Sequence, residues 1–289
     1  MIIPEFEYVS PQSVQEACAL LVQYGDSARV LAGGSDLLVK MKDGLMKPAY
    51  LVSLKNLDSL KAIRYETGTG VIIGARATHN EVMNNRLLQE KYRSVCEAAH
   101  SMAADQIRNI GTVGGNLVNA VPSADLPPIL IALDARARIV GTGGERTIAL
   151  EDFFLGPGKT VLEKGEILAE IIIPDQLTTG SNYIKFGLRR AGALAVAGVA
   201  SSVTVSDGTC RDVRIVLGAV APTPMRARQA ENILRGKKIS QELIDEAGRV
   251  AGAESKPISD LRGSIEYRRN LVNVLTRRSL KAAIEKGHI

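Results

Sequence analysis

Two glycine clusters in the first half of the chain place the tightest limits on its fold. The first, Gly33-Gly34, ends the apolar run 28–32 and precedes the polar pair Ser35-Asp36. The second, Gly111 to Asn116, contains three glycines within a long polar segment. Glycine permits positive φ and lets a ligand approach backbone N–H groups, which can hold a diphosphate without many charged side chains. Both clusters therefore predict loops that bind a long, polar, anionic ligand.

Each cluster alone also fits an ordinary turn, and a dinucleotide-binding Rossmann unit is a further alternative. The Rossmann unit needs the spacing Gly-x-Gly-x-x-Gly directly between a strand and a helix. Gly111 to Gly115 lacks both that position and that spacing, and Gly68-Thr69-Gly70 joins two predicted strands in a hairpin. The sequence therefore disfavours a Rossmann fold.

The hydrophobic pattern divides the chain into two domains and the first domain into two parts. A strand and helix pattern fills about residues 1–56, and a hairpin at 62–75 opens a larger unit that extends to residue 176. After Pro174 and the polar residues 177–181, three predicted strands precede three predicted helices. This order indicates an α+β fold. We therefore predict domains at 1–176, with subdomains at about 1–56 and 57–176, and at 181–289.

Composition argues against several classes of function. The 289 residues are 45% apolar and contain no apolar run long enough to span a membrane. Residues 1–5 lack the basic start and apolar core of a signal peptide, so we expect a cytoplasmic protein without a membrane span. The net charge of +5 is spread along the chain, and aromatic residues make up only 4% with no Trp. Stacking surfaces for nucleic acid are therefore not expected.

The cysteines and histidines indicate neither a metal site nor a nucleophilic catalytic set. Cys18, Cys96 and Cys210 lie far apart, as is typical of small core residues, and they form no metal clip or disulfide framework. The histidines lack metal-ligand spacing. His100 and Asp105 are candidates for an acid/base pair, but an ordinary helix surface explains them better. We predict no catalytic residue and no metal on this chain.

The segments Ala32 to Leu38 and Ile107 to Pro128 resemble the two flavin-binding signatures of a known family. It is the FAD-binding medium subunit of molybdenum hydroxylases, of the xanthine, carbon monoxide and nicotinate dehydrogenase type. Lys185 to Arg190, Leu217 to Pro224 and Tyr267 to Arg269 extend the resemblance over essentially the whole chain. It implies a two-part FAD-binding domain of the vanillyl-alcohol oxidase (PCMH) type. A smaller C-terminal domain of antiparallel sheet plus helices would follow.

The resemblance also implies FAD as cofactor and places it along both signatures. The first signature would wrap the diphosphate, and the second would complete that cradle with Thr112 and the residues after it. Asp125 would bind ribityl or adenosine hydroxyls. The implied FAD-binding residues are Ala32, Gly33, Gly34, Ser35, Asp36, Leu37, Ile107, Gly111, Thr112, Gly114, Gly115, Asn116, Ser123, Asp125 and Lys185.

Lys185 would lie beside the flavin in this arrangement. A cation near the N1/C2 edge of the ring favours the anionic reduced form and raises the reduction potential. The alternative for Lys185 is a solvated lysine at the end of a strand.

The resemblance implies two partners, a [2Fe–2S] small subunit and a molybdopterin-binding large subunit. Substrate is hydroxylated on the large subunit in this family, and the flavin delivers the electrons to NAD⁺ or another acceptor. The scattered cysteines rule out a cysteine-bound cluster on this chain. Two alternatives are a stand-alone flavin-dependent oxidase or dehydrogenase, which lacks nameable substrate residues here, and a cofactor-free scaffold, which would not require the glycines.

The last predicted helix carries a row of basic residues between Ser264 and Lys281. Its apolar positions, which include Leu271, Val272 and Leu275, define an amphipathic helix. We expect part of the basic face to dock the partner subunits, and a solvated face is the alternative. The basic residues are Arg268, Arg269, Arg277, Arg278 and Lys281.

Overall fold

The computed structural model describes residues 3–175, 180–189 and 191–286, and its N-terminal unit is a small parallel sheet with two helices. The strand order is β1-β3-β2. Ser13 caps the first helix by accepting a hydrogen bond from the Glu16 amide. Gly25 ends that helix, and its amide donates to Leu21 O. The elements are β1 (Glu7–Val9), α1 (Val14–Tyr24), β2 (Ala28–Leu31), α2 (Leu37–Lys42) and β3 (Tyr50–Ser53).

The second unit is a five-stranded antiparallel sheet with a helical insertion between its second and third strands in sequence. Its strand order is β4-β5-β10-β6-β7. The central strand is buried along its whole length, which explains its mostly apolar sequence, and its one charged residue, Glu170, pairs with Arg64 and Arg138. The elements are β4 (Ile63–Glu66), β5 (Gly70–Gly74), α3 (His79–Asn84), α4 (Arg86–Lys91), α5 (Arg93–Ser101), α6 (Asp105–Ile110), α7 (Val113–Val118), α8 (Leu126–Ala132), β6 (Arg136–Gly141), β7 (Gly144–Ala149), β8 (Phe154–Gly156), β9 (Lys159–Thr160) and β10 (Ile167–Ile173).

The C-terminal part is an antiparallel sheet in the order β11-β12-β13-β14, followed by three helices. Its sheet packs on α11, while α8 of the preceding unit packs against β12 and β13. Tyr183, Ala200 and Val216 therefore belong to the main core of that preceding unit. The elements are β11 (Gly180–Phe186), β12 (Ala197–Ser206), β13 (Thr209–Gly218), β14 (Met225–Arg226), α9 (Arg228–Leu234), α10 (Gln241–Glu254) and α11 (Ile265–Lys286).

The mixed architecture, with a C-terminal antiparallel sheet followed by helices, confirms the predicted α+β fold class. Residues 176–179, where the domain boundary is predicted, lie outside the described residues, so the domain limits remain a prediction. Within the described ranges, no helix combines the length and the hydropathy needed to cross a membrane.

The structure of α11 shows that part of the predicted docking face is wrong. Arg268 is only 3% exposed and does not belong to a solvent-facing row. Its guanidinium donates to the carbonyl oxygens of Val196 and Ala219 at 3.0 and 3.2 Å and to Asp260 Oδ1 at 2.6 Å. Arg268 therefore ties α11 to the sheet. Arg269 is exposed, so the docking prediction remains open for it.

Candidate cofactor site

The turn after β2 presents a row of backbone donors without acceptors. The amides of Gly33 to Leu37 donate to no acceptor among the residues that the structure describes. Asp36 occupies the position before α2, but its side chain makes no capping hydrogen bond to the helix. Gly34 has a φ of 75°, which a residue with a Cβ rarely adopts. Free amides in a turn of this kind are suited to bind an anion.

Gly33 brings the two glycine clusters into direct contact. A Cβ at this position would collide with the carbonyl oxygen of Ile110 and lie 3.2 Å from Gly111 Cα. Glycine is therefore required here by close approach of two backbones, since any larger residue would push the segments apart. The structure thus places the first predicted signature against the second.

The second cluster is helical, so the prediction that it is an open loop of glycine donors is wrong. Thr112 caps α7, and its Oγ1 accepts a hydrogen bond from the Gly115 amide at 3.1 Å. The Gly114 amide donates to Ala75 O at 2.7 Å, and the Gly111 amide donates to Ile107 O at 2.7 Å. A Cβ on Gly114 would lie 2.8 Å from the Ala75 carbonyl oxygen. These glycines permit tight packing, and the available donors lie in the first cluster.

Polar and apolar groups around this contact remain available for a ligand. Asn116 Oδ1 is buried and has no hydrogen-bond partner in the described part of the protein. A buried acceptor without a donor is unusual and is satisfied when a ligand supplies one. Ile107 and Ile110 are 37% and 48% exposed on α6. Together with the free amides, they offer acceptor, donor and apolar contacts to one elongated molecule.

A hydrogen-bonded bridge joins the two clusters beside the free amides. Asn119 Nδ2 donates to Asp36 Oδ1 at 2.9 Å, and Lys40 Nζ donates to Asn119 Oδ1 at 2.7 Å. Neither Lys40 nor Asn119 belongs to the predicted set of FAD-binding residues. Asn119 stands in the polar run of the second signature, whereas nothing in the local sequence distinguishes Lys40.

Asp125 and Lys185, two predicted site residues, form a buried ion pair. Lys185 Nζ lies 2.7 Å from Asp125 Oδ2, and their side chains are 10% and 5% exposed. The interpretation of Lys185 as a solvated lysine is therefore wrong. Lys185 also donates to Ser101 O at 3.0 Å, and the Tyr183 hydroxyl donates to Asp125 Oδ1 at 2.9 Å. Burial raises the pKa of Asp125, while Lys185 and Tyr183 act in the opposite direction.

His79 is a buried group near this site that the sequence did not single out. It is 1% exposed at the start of α3, and its amide donates to Gly111 O at 3.0 Å. Burial, reinforced by the nearby Arg108, lowers the pKa of His79 to about 4. The imidazole is therefore neutral at pH 7. The only sequence signal here is the capping box of Thr78 and Glu81, which marks a helix start.

Two further sequence predictions concern Ser123 and the pair of His100 and Asp105. Ser123 lies between α7 and α8, close in sequence to Asp125. Asp105 accepts hydrogen bonds from Asn80 and Arg108, which supports the helix-surface interpretation over an acid/base pair with His100.

Family comparisons agree with the geometry. Residues 4–176 match the FAD binding domain in molybdopterin dehydrogenase, and residues 182–283 match the CO dehydrogenase flavoprotein C-terminal domain. The chain belongs to the FAD-binding medium subunits of molybdenum hydroxylases. FAD is its cofactor, and its relatives are subunits of oxidoreductases. The predicted family, cofactor and enzyme class are confirmed.

Relatives in this family match over nearly the whole chain. The carbon monoxide dehydrogenase medium chain of Hydrogenophaga pseudoflava is 38% identical over 284 residues, 98% of each chain. The glyceraldehyde dehydrogenase medium chain of Sulfolobus acidocaldarius is 34% identical, covering 97% of this chain and 99% of the relative. A solved carbon monoxide dehydrogenase from Hydrogenophaga pseudoflava, which lacks the Mo-pyranopterin moiety, superposes with a TM-score of 0.95 and 38% identity over 99% of both chains. The chain is therefore similar to complete medium subunits.

Proposed function

We propose that this subunit carries electrons from the [2Fe–2S] clusters of a partner to NAD or another acceptor, while substrate is oxidised on a third subunit. Bound FAD would supply the redox chemistry, because a flavin accepts and releases electrons. The observation that carries the proposal is the contact of the free-amide turn with the second signature at Gly33 and Ile110. That contact brings the two flavin-type signatures together, which supports a cofactor site between them.

Each part of the predicted site has a role in this proposal. The amides of Gly33 to Leu37 would bind the diphosphate, because several aligned N–H donors offset two negative charges without a large desolvation cost. Asn116 Oδ1 would accept a hydrogen bond from a hydroxyl of the cofactor, which would give this buried oxygen a partner. Ile107 and Ile110 would contact an aromatic ring. Asp125 and Lys185 would hold the C-terminal sheet against this site as an ion pair without net charge.

We further propose that the chain assembles with a small iron–sulfur subunit and a large molybdopterin-binding subunit. Relatives are named as medium chains, which supports a complex of this kind. The segment before α11 exposes large apolar side chains, with Leu261 at 92% and Ile258 at 69%, and Tyr267 on α11 is 43% exposed. Clustered exposed apolar residues are common at protein interfaces. This segment, with the exposed Arg269, is therefore our candidate for subunit contact.

An absorption spectrum of the purified chain, recorded with and without added FAD and followed by anaerobic reduction, tests the cofactor assignment. Flavin bands should persist through gel filtration and bleach without an iron–sulfur shoulder. A folded chain that binds no FAD, alone or with its co-purified partners, would favour the cofactor-free scaffold.

Reduction by substrate then separates the subunit from a stand-alone oxidase. In the electron-transfer role, FAD on the isolated chain stays oxidised when candidate substrates are added and becomes reduced only when the partner subunits are present. Reduction of the isolated chain by a substrate would establish the stand-alone alternative.

A further inference from the structure

Helix α6 carries Ile107 and Ile110 beside the cofactor site but has no apolar anchor in the fold. None of its six residues is buried. A helix this short is not stable by its own backbone hydrogen bonds. Its position must therefore depend on polar contacts with neighbouring elements. Arg108 is the only one of the six residues that is not exposed, and its side chain retains 12% exposure.

Arg108 ties α6 to the end of α5. Its Nη1 donates to the carbonyl oxygens of Met102 at 2.9 Å and of His100 at 3.2 Å. The last carbonyls of a helix have no partner within that helix, and a cation near them is favourable. Arg108 therefore closes the C-terminal end of α5 and fixes the turn at 102–104, through which the chain enters α6.

Asn80 of α3 contacts three side chains of α6. Its Nδ2 donates to Asn109 Oδ1 at 2.7 Å and to Asp105 Oδ1 at 3.0 Å, and its Oδ1 accepts from Arg108 Nε at 3.4 Å. Arginine can only donate and an ionised aspartate can only accept, so this orientation of the Asn80 amide satisfies both. Asn80 therefore fastens α6 to α3 at its first residue and near its last.

We infer that Asn80 and Arg108 are positioning residues that hold α6 and its exposed isoleucines against the bound cofactor. The inference rests on the proposed contact of Ile107 and Ile110 with the aromatic ring. Arg108 and Asn109 stand in the second signature, yet neither belongs to the implied set of FAD-binding residues. Their hydrogen bonds go to α5 and α3, so these two polar residues serve the site through the placement of α6.

Equilibrium titration of the full chain with FAD, followed by flavin fluorescence, tests the inference. Asn80→Ala should weaken FAD binding about fivefold, the scale of one hydrogen bond, and Arg108→Met about tenfold, because a charged donor is lost. Asn84→Ala and Arg93→Met are the matched controls and should bind FAD as the wild type does, since Asn84 is exposed on α3 and Arg93 is 77% exposed on α5. Wild-type affinity in both Asn80→Ala and Arg108→Met would overturn the inference.

The spectra of the bound flavin separate positioning from a general loss of stability. At saturating FAD, the absorption and fluorescence spectra of both variants should shift towards those of free FAD, because a displaced α6 exposes the ring to water. Melting temperatures of the apoproteins measure stability independently. Weaker binding with an unchanged spectrum of the bound flavin would show that the two residues only stabilise the fold, and the inference would be overturned.

Arg108→Lys provides a milder variant if Arg108→Met does not fold. Its ammonium keeps donors for the α5 carbonyls, so its affinity for FAD should lie between those of Arg108→Met and the wild type. An affinity for Arg108→Lys no better than that for Arg108→Met would contradict the capping contact as the source of the effect.

Gly33→Ala in the same titration separates this inference from the proposed cofactor site. Normal FAD binding by Gly33→Ala would mean that the ligand lies elsewhere, and the proposed site and the inference would both fail. If Gly33→Ala abolishes binding while Asn80→Ala and Arg108→Met leave the affinity and the flavin spectrum unchanged, only the inference fails.

Discussion

Lys185 Nζ lies 2.7 Å from Asp125 Oδ2, and this contact joins strand β11 to the start of α8. Each charge is matched by the other inside a largely dry environment. Lys185 therefore does not act as an isolated cation, as the sequence alone implied. Its influence on the flavin depends on Asp125 being present.

Removal of Lys185 alone is expected to destabilise the fold. Lys185→Met leaves the Asp125 carboxylate buried without its cation, and breaking a buried pair costs about 3–5 kcal/mol. The double variant Lys185→Met/Asp125→Leu removes both charges and should recover much of that loss. Urea unfolding of the three proteins measures the difference. Equal midpoints for the wild type and the single variant would contradict this account.

The same substitution should lower the flavin reduction potential if the pair lies near the ring. An uncompensated Asp125 disfavours added electron density, whereas the double variant has no net change of charge. Potentiometric titration of the FAD-loaded proteins should give a lower potential for Lys185→Met and a value near the wild type for the double variant. Three equal potentials would place the pair away from the flavin.

We expect the buried His79 to make the folded protein less stable in mild acid. Its folded-state pKa of about 4 lies below the ordinary value of 6.5, so the unfolded chain binds more protons between these limits. Stability should therefore fall as the pH falls from 6.5 to 4, by about 3 kcal/mol in total. Unfolding free energies of His79→Gln should show a flatter dependence over this range. His100→Gln is the matched control because its side chain is exposed, and a slope unchanged in His79→Gln would assign the effect to other groups.

Gly33→Ala is expected to abolish retention of FAD through gel filtration. The added methyl group would collide with the Ile110 carbonyl and separate the two signatures. Gly143→Ala is a suitable control, since no atom lies within 4 Å of a Cβ at that position. Retention of FAD by both variants would mean that the contact at Gly33 is dispensable.

Arg268 and Arg269 should behave differently although they are neighbours. Arg268→Met removes the buried bonds to Asp260, Val196 and Ala219 and should cost about 3 kcal/mol in unfolding free energy. Arg269→Glu should leave stability unchanged and reduce co-purification of the partner subunits. Undiminished co-purification would exclude Arg269 from the interface.

The sequence predicts correctly those helices and strands whose own residues determine their conformation. The sequence predicts a strand at 167–173 and a helix at 241–254, and both have those bounds in the structure, because the first is mostly apolar and the second has a Ser240 cap with helical spacing. The second glycine cluster forms part of a helix and not the predicted loop, since the cap at Thr112 outweighs the low helix propensity of two glycines. The burial of Arg268 could not be predicted, because its acceptors Val196 and Ala219 are distant in sequence.

The span between Asp36 and Asn119, 83 residues, has a consequence for how the protein matures. Contacts of this separation form only after long loops have closed, so they contribute late to folding. The cradle is therefore absent while the N-terminal strands and helices assemble locally. FAD would meet a competent site only after the chain has extended past Asn119 and this long loop has closed, so its uptake would report that closure.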